Sequence, residues 1–108
     1  MREDQIQIAT VKYLEKMNIF CHSVPNELGG KNAMLRTKHF VAMGLKHGVA
    51  DLVIWWPDGK IGYVEMKSER GKQTDLQRKF QKRCEKYGVR YDVCHSLDEV
   101  KELVIKYC

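Results

Sequence analysis

No stretch of this 108-residue sequence stays apolar for the length of a membrane span, and no repeat, low-complexity tract or long linker interrupts it. A membrane-crossing helix and a repeat array are thereby excluded. The four cysteines, Cys21, Cys84, Cys94 and Cys108, include no CxxC pair, and none combines with His22, His39, His47 or His95 at zinc-site spacing. They read as buried or incidental thiols rather than a disulfide framework, which favours a reducing compartment. The opening residues, Met1-Arg2-Glu3-Asp4-Gln5, lack the apolar stretch of a secretory leader. The expected location is therefore cytoplasmic.

What is present suits one compact domain over residues 1–108. Hydrophobic residues make up 44% and charged residues 31%, enough of each for a packed core under a polar surface. The formal net charge of +5 favours an anionic partner, whether nucleic acid, an acidic protein or anionic lipid. Acids are scattered among the cations, so a merely basic, solvated surface fits the charge equally well.

Apolar spacing at Ile6, Ala9, Tyr13, Leu14 and Met17 predicts a helix over residues 3–17. Ile19 to Ser23 reads as a short strand, followed by a break at Pro25 and Gly29-Gly30. Residues 31–47 fit one or two helical pieces punctuated by Gly44 and Gly48, a loop-rich insert beside a substrate or a partner subunit. Asp51 to Trp56 and Ile61 to Lys67 flank the turn sequence Pro57-Asp58-Gly59-Lys60, which predicts a β-hairpin. Thr74 can cap a helix reaching about Tyr87, with Leu76, Phe80, Cys84 and Tyr87 on its apolar side and Gly88 ending it. Val89 to Cys94 is a strand. Ser96 caps a last helix, with Glu99 at its third position and Leu97, Val100, Leu103, Val104 and Tyr107 inward. The order predicts an α/β domain around a mixed sheet, with antiparallel hairpin strands and a helical crossover to a parallel one.

The chemistry sits in Asp51 and Glu65-Met66-Lys67. A hairpin turning at 57–60 sets the start of one strand against the end of the other, so Asp51 and Glu65 become neighbours. Glu65 and Lys67, two apart on a strand, share a face, while Met66 points to the other. Like charges that close are costly unless a cation joins them. Carboxylate oxygens favour Mg²⁺ or Mn²⁺ over soft metals, and the Met66 main-chain carbonyl could add a ligand. Such an ion would polarise a phosphoryl oxygen and activate water. Lys67 would orient that water or stabilise developing charge; as a base it would first have to be neutral. On the residues alone a second reading stands beside this one: strand-edge acids and lysines also form surface ion pairs of little energetic worth.

A longer set of motifs resembles the VRR-NUC domain, a branch of the PD-(D/E)XK nucleases, from about Glu3 to Tyr107. It comprises Glu3-Asp4-Gln5-Ile6-Gln7, Val24-Pro25-Asn26-Glu27, Leu45-Lys46-His47-Gly48-Val49-Ala50-Asp51-Leu52, Gly62-Tyr63-Val64-Glu65-Met66-Lys67 and Gly71-Lys72-Gln73-Thr74-Asp75-Leu76-Gln77. The resemblance implies a restriction-endonuclease-like mixed β-sheet flanked by helices. It implies metal acids at Asp51 and Glu65, a catalytic lysine at Lys67, a first-helix glutamate beside the metal at Glu3, and an assisting glutamine at Gln77. Two departures stand out. Ala50 replaces the proline that commonly precedes the metal aspartate, and no Val-Arg-Arg string occurs, Val89-Arg90-Tyr91 being the nearest text. Ala50 removes backbone stiffness but no ligand.

Small free-standing relatives of this kind resemble phage or bacterial structure-specific nucleases, acting as homodimers on branched DNA such as four-way junctions. That implies a bacterial host cytoplasm for a phage-encoded chain. Expected DNA contacts are Asn26, Lys31, Arg36, Lys38 and Lys46 around the insert, and Lys72 and Arg78 near the next helix. That helix, with Lys79, Lys82, Arg83 and Lys86, is strongly basic but carries no base-reading motif, so its contacts would position DNA rather than read it. Two alternatives remain at this stage, a non-catalytic DNA-binding protein and an interaction subunit of a larger nuclease.

Overall fold

The computed structural model describes residues 1–24 and 33–108. Its elements run α1 (Glu3–Lys16), β1 (Phe20–Ser23), α2 (Ala33–Ala42), β2 (Leu52–Trp55), β3 (Ile61–Met66), α3 (Asp75–Tyr87), β4 (Arg90–Cys94) and α4 (Leu97–Tyr107). The four strands form one mixed sheet in the order β1-β2-β3-β4. The pairs β1–β2 and β2–β3 are antiparallel and β3–β4 is parallel. This is the α/β, restriction-endonuclease-like arrangement anticipated from the sequence.

Strand alternation divides the sheet into two faces. Leu52, Ile54, Val64, Met66 and Cys94 point to one side, where Ile6 and Leu14 of α1 and Val100, Leu103 and Val104 of α4 close over them. The opposite face carries Tyr63 and Tyr91, and α3 packs there through Phe80, whose ring meets both edge-on. Beyond α3 that face is open: Phe20, Trp55 and Ile61 pair across β1, β2 and β3 and remain at least half exposed.

Two expected helix faces and the ends of one strand need correction. In α1 the inward stripe is Ile6, Thr10 and Leu14, a strict four-residue step, while Met17 lies outside the helix and is exposed. In α3 both Leu76 and Tyr87 are exposed, because the sheet receives only the arc holding Phe80, Gln81 and Cys84. Asp51 and Trp56 flank β2 rather than belonging to it.

The hairpin turn is built as its residues suggest. Gly59 takes a left-handed φ of 84°, and the Trp56 and Lys60 backbones bond across the turn. A second fastening joins this turn to the end of the chain. Both Arg90 guanidinium nitrogens donate to Asp58, the same guanidinium lies 4.1 Å from the Tyr107 ring centre, and the Tyr107 hydroxyl donates to Asp92. Trp56, almost fully buried, packs against Tyr107.

Candidate metal-dependent active site

The Leu52↔Val64 register sets Asp51, one residue before β2, opposite Glu65 near the end of β3. Asp51 is then fixed by the strand it faces, its Oδ2 accepting the Met66 main-chain N–H at 2.8 Å. Glu65 occupies the face that α3 covers and is 1% exposed. From the start of α3, Gln77 donates its Nε2 hydrogen to Glu65 Oε1 at 2.8 Å. Glu3, in the first turn of α1, brings a third carboxylate. One oxygen each from Glu3, Asp51 and Glu65 lies within 4.8 Å of the others.

Each of the two inner acids therefore has one oxygen held by a protein donor. The second oxygen of Glu65, Oε2, is buried and has no hydrogen-bond partner. A carboxylate oxygen buried without a donor is costly. Burial, then the nearby charge of Asp51 and a hydrogen bond that the protonated carboxyl can share with it, pushes Glu65 up to about 9, with the Lys67 ammonium pulling the other way. Three clustered acids, all hard oxygen donors and one with a buried unpartnered oxygen, fit a divalent cation such as Mg²⁺ or Mn²⁺.

Lys67 follows two residues after Glu65 on the same face and is 6% exposed. It makes no ion pair among the described residues, so its charge remains available to whatever enters. Its main-chain N–H donates to Cys94, continuing the β3–β4 pairing past the last residue of the strand. Met66 turns its side chain into the core, fully buried, and leaves its backbone at the site.

The acids open into a cleft of about 710 Å³. Glu3 and Gln7 of α1, Ser23 and Val24 after β1, His47 and Gly48 of the loop before β2, and Thr74, Leu76 and Gln77 of α3 complete its wall. Gly48, at φ 83°, approaches so closely that an added Cβ would lie 2.8 Å from the Leu76 backbone. Only glycine allows this loop to touch the first turn of α3.

The structure thus brings together Glu3, Asp51, Glu65 and Gln77, with Lys67 behind them. Among the expected DNA contacts, Lys46 and Lys72 are exposed beside cleft-lining residues, and Lys38 is exposed on α2. Arg78 is exposed but already engaged, bonded to Asp75 and to the Gln73 carbonyl. Asn26 and Lys31 lie outside the described residues, as does the side chain of Arg36. Sequence reasoning read Thr74 only as a helix cap; its hydroxyl accepts the Gln77 main-chain N–H, and Gln77 bonds back to it. The Thr-x-x-Gln spacing of a capping box was the signal available.

The family model of the VRR-NUC domain matches residues 1–98 of this chain. A solved structure of a VRR-NUC domain is similar at a TM-score of 0.72 and 22% identity, covering 98% of this chain and 97% of its own. That likeness is one of fold. Comparison with curated proteins finds no match.

Proposed function

Because this chain belongs to the VRR-NUC domain family and is a metal-dependent enzyme of a nuclease fold, we propose that it is an endonuclease hydrolysing phosphodiester bonds in branched DNA. The observation that carries the reading is that one oxygen each of Glu3, Asp51 and Glu65 lies within 4.8 Å of the others, in a cluster whose innermost acid has a buried oxygen, Oε2, without a hydrogen-bond partner. Asp51, Glu65 and the Met66 carbonyl, with Glu3 at the rim, would hold Mg²⁺ or Mn²⁺. Bound there, the ion supplies charge to the phosphoryl oxygen and acidifies water.

The protein's own groups do the remaining work. Gln77 fixes Glu65 through Oε1, which restricts the rotamers open to its other carboxylate oxygen. The Met66 N–H fixes Asp51 in the same way. Lys67 orients the attacking water and balances charge on the phosphate as the bond breaks. No nucleophilic side chain is required, since water attacks directly and the leaving oxygen departs without a covalent enzyme intermediate.

Lys38, Lys46, Lys72 and Arg78, with Asn26, Lys31 and Arg36 from the segment before β2, would contact phosphates. Four-way junctions are the substrate most consistent with a symmetric homodimer, whose two centres could cut paired strands. The open Phe20-Trp55-Ile61 row offers apolar surface for such self-association. The four free cysteines suit a reducing bacterial cytoplasm.

A cleavage panel of linear, flapped and four-way DNA, run with Mg²⁺, Mn²⁺ or chelator and beside a sizing column, tests the proposal. Junction cutting is expected with metal only, from a dimer, and Asp51→Ala should lower it at least about a hundredfold while the fold persists. Equal cutting by parent and variant would remove the assigned centre.

A further inference from the structure

Thr74 and Gln77 are bonded twice. Thr74 Oγ1 accepts the Gln77 main-chain N–H at 3.2 Å, and Gln77 Oε1 accepts the Thr74 main-chain N–H at 2.9 Å. The first bond is ordinary helix capping. The second has a consequence at the acids. A primary amide has one accepting end and one donating end. With Oε1 committed to Thr74, Nε2 is the atom left to meet Glu65 Oε1 at 2.8 Å. The reversed amide would set oxygen against carboxylate and nitrogen against N–H, losing both bonds. Helix capping itself is served by glutamate at this position as well as by glutamine. Only glutamine can also present a donor to Glu65.

We propose that Thr74 is a positioning residue of the acidic centre: it fixes the polarity of the Gln77 amide so that Glu65 Oε1 is occupied by a donor and Oε2 alone is left for a cation. This assignment rests on the metal-dependent reading above. Thr74 touches neither ion nor substrate in this role and acts through Gln77.

Thr74→Pro is the informative variant. The Thr74 backbone, at φ −77° and ψ 169°, suits proline, which removes both the N–H that holds Gln77 Oε1 and the capping hydroxyl, so Thr74→Ala, which removes the hydroxyl alone, is its control. In the metal-free protein, the Gln77 side-chain amide signals should shift in NMR spectra and exchange faster with solvent. Mn²⁺ affinity, measured calorimetrically, should fall about tenfold, as for other residues that orient metal ligands. Thr74→Ser should restore both properties. In a Gln77→Ala background Thr74→Pro should weaken Mn²⁺ binding no further. Should the proline variant fail to fold, Thr74→Ala, which frees the Gln77 N–H from its anchor, is expected to move the same signals less. Unchanged amide signals with only a lower melting temperature, or an equal affinity loss without Gln77, would reduce Thr74 to a helix cap. Absence of Mn²⁺ binding by the parent would overturn the metal reading instead, and the amide signals would still decide what Thr74 does.

Discussion

Asp51 stands one step beyond the Leu52↔Val64 pair, opposite Glu65, and its charge adds to burial in pushing the Glu65 carboxyl up to about 9. The metal-free protein therefore keeps a proton where a cation belongs. Much of its expected behaviour follows from that competition.

Stability should depend on pH in a defined direction. Glu65 keeps its proton up to about 9 in the folded chain but loses it near its ordinary value of 4.5 when unfolded. Between those values the folded state binds more protons, so the metal-free protein should become less stable as pH rises through the window. Thermal scans in chelator should give a lower melting temperature near pH ~8.5 than near pH ~5.5. Glu65→Gln should flatten that slope, and Mn²⁺ should raise the parent's melting temperature most at the alkaline end, where the proton competes least. A flat parent profile would contradict the proton assignment.

Lys67 should separate metal binding from chemistry. Its ammonium opposes the cation electrostatically, so Lys67→Ala should bind Mn²⁺ at least as tightly as the parent. Cleavage should nevertheless fall by about a hundredfold or more, the scale seen when a preorganised charge at the reacting phosphate is removed. Titration calorimetry beside single-turnover cleavage measures both, and parallel losses of affinity and rate would make the lysine structural.

Gly48→Ala meets two obstacles, a left-handed φ of 83° and the Leu76 backbone 2.8 Å from the new Cβ. A destabilisation of about 1–3 kcal/mol is expected in urea denaturation, because a non-glycine residue held in that region is strained before any clash is added. The loop must also withdraw from α3, which should lower cleavage more than stability alone explains. A variant as stable and active as the parent would show that this approach carries no function.

Lys46 and Lys72 are exposed, one and two residues from cleft-lining His47 and Thr74, and are expected to act through phosphate charge. Removing a true contact should reduce the slope of log affinity against log salt by about 0.9 for duplex DNA. Lys46→Ala and Lys72→Ala, titrated by fluorescence anisotropy over a range of salt, test each separately. An unchanged slope assigns that lysine to the solvated surface.

Most of the architecture could be read from apolar period and punctuation. The hairpin was explicit in Pro57-Asp58-Gly59-Lys60 between two β-forming runs, and it alone predicted the meeting of Asp51 and Glu65. Glu3 and Gln77 were harder. Their places depend on where α1 and α3 cross the strand ends, and no local pattern encodes a crossing; the VRR-NUC resemblance supplied them. Thr10 was missed because a polar residue at an inward position breaks the apolar stripe, although it is fully buried. Leu76 and Tyr87 were misread because helical period identifies a face, not the width of sheet available to cover it. The Gly48–Leu76 approach could not have been foreseen, since it joins a loop to a helix that share no pattern.

The clasp of Arg90, Asp58 and Tyr107 has a bearing on how the sheet comes apart. Tyr107 is the last residue of α4, which also brings Val100, Leu103 and Val104 over the sheet. Fraying of this helix releases the hairpin turn and uncovers the sheet together, so the frame that sets Asp51 opposite Glu65 loosens with it. Local opening at α4 and loss of the acidic cluster are therefore one event rather than two.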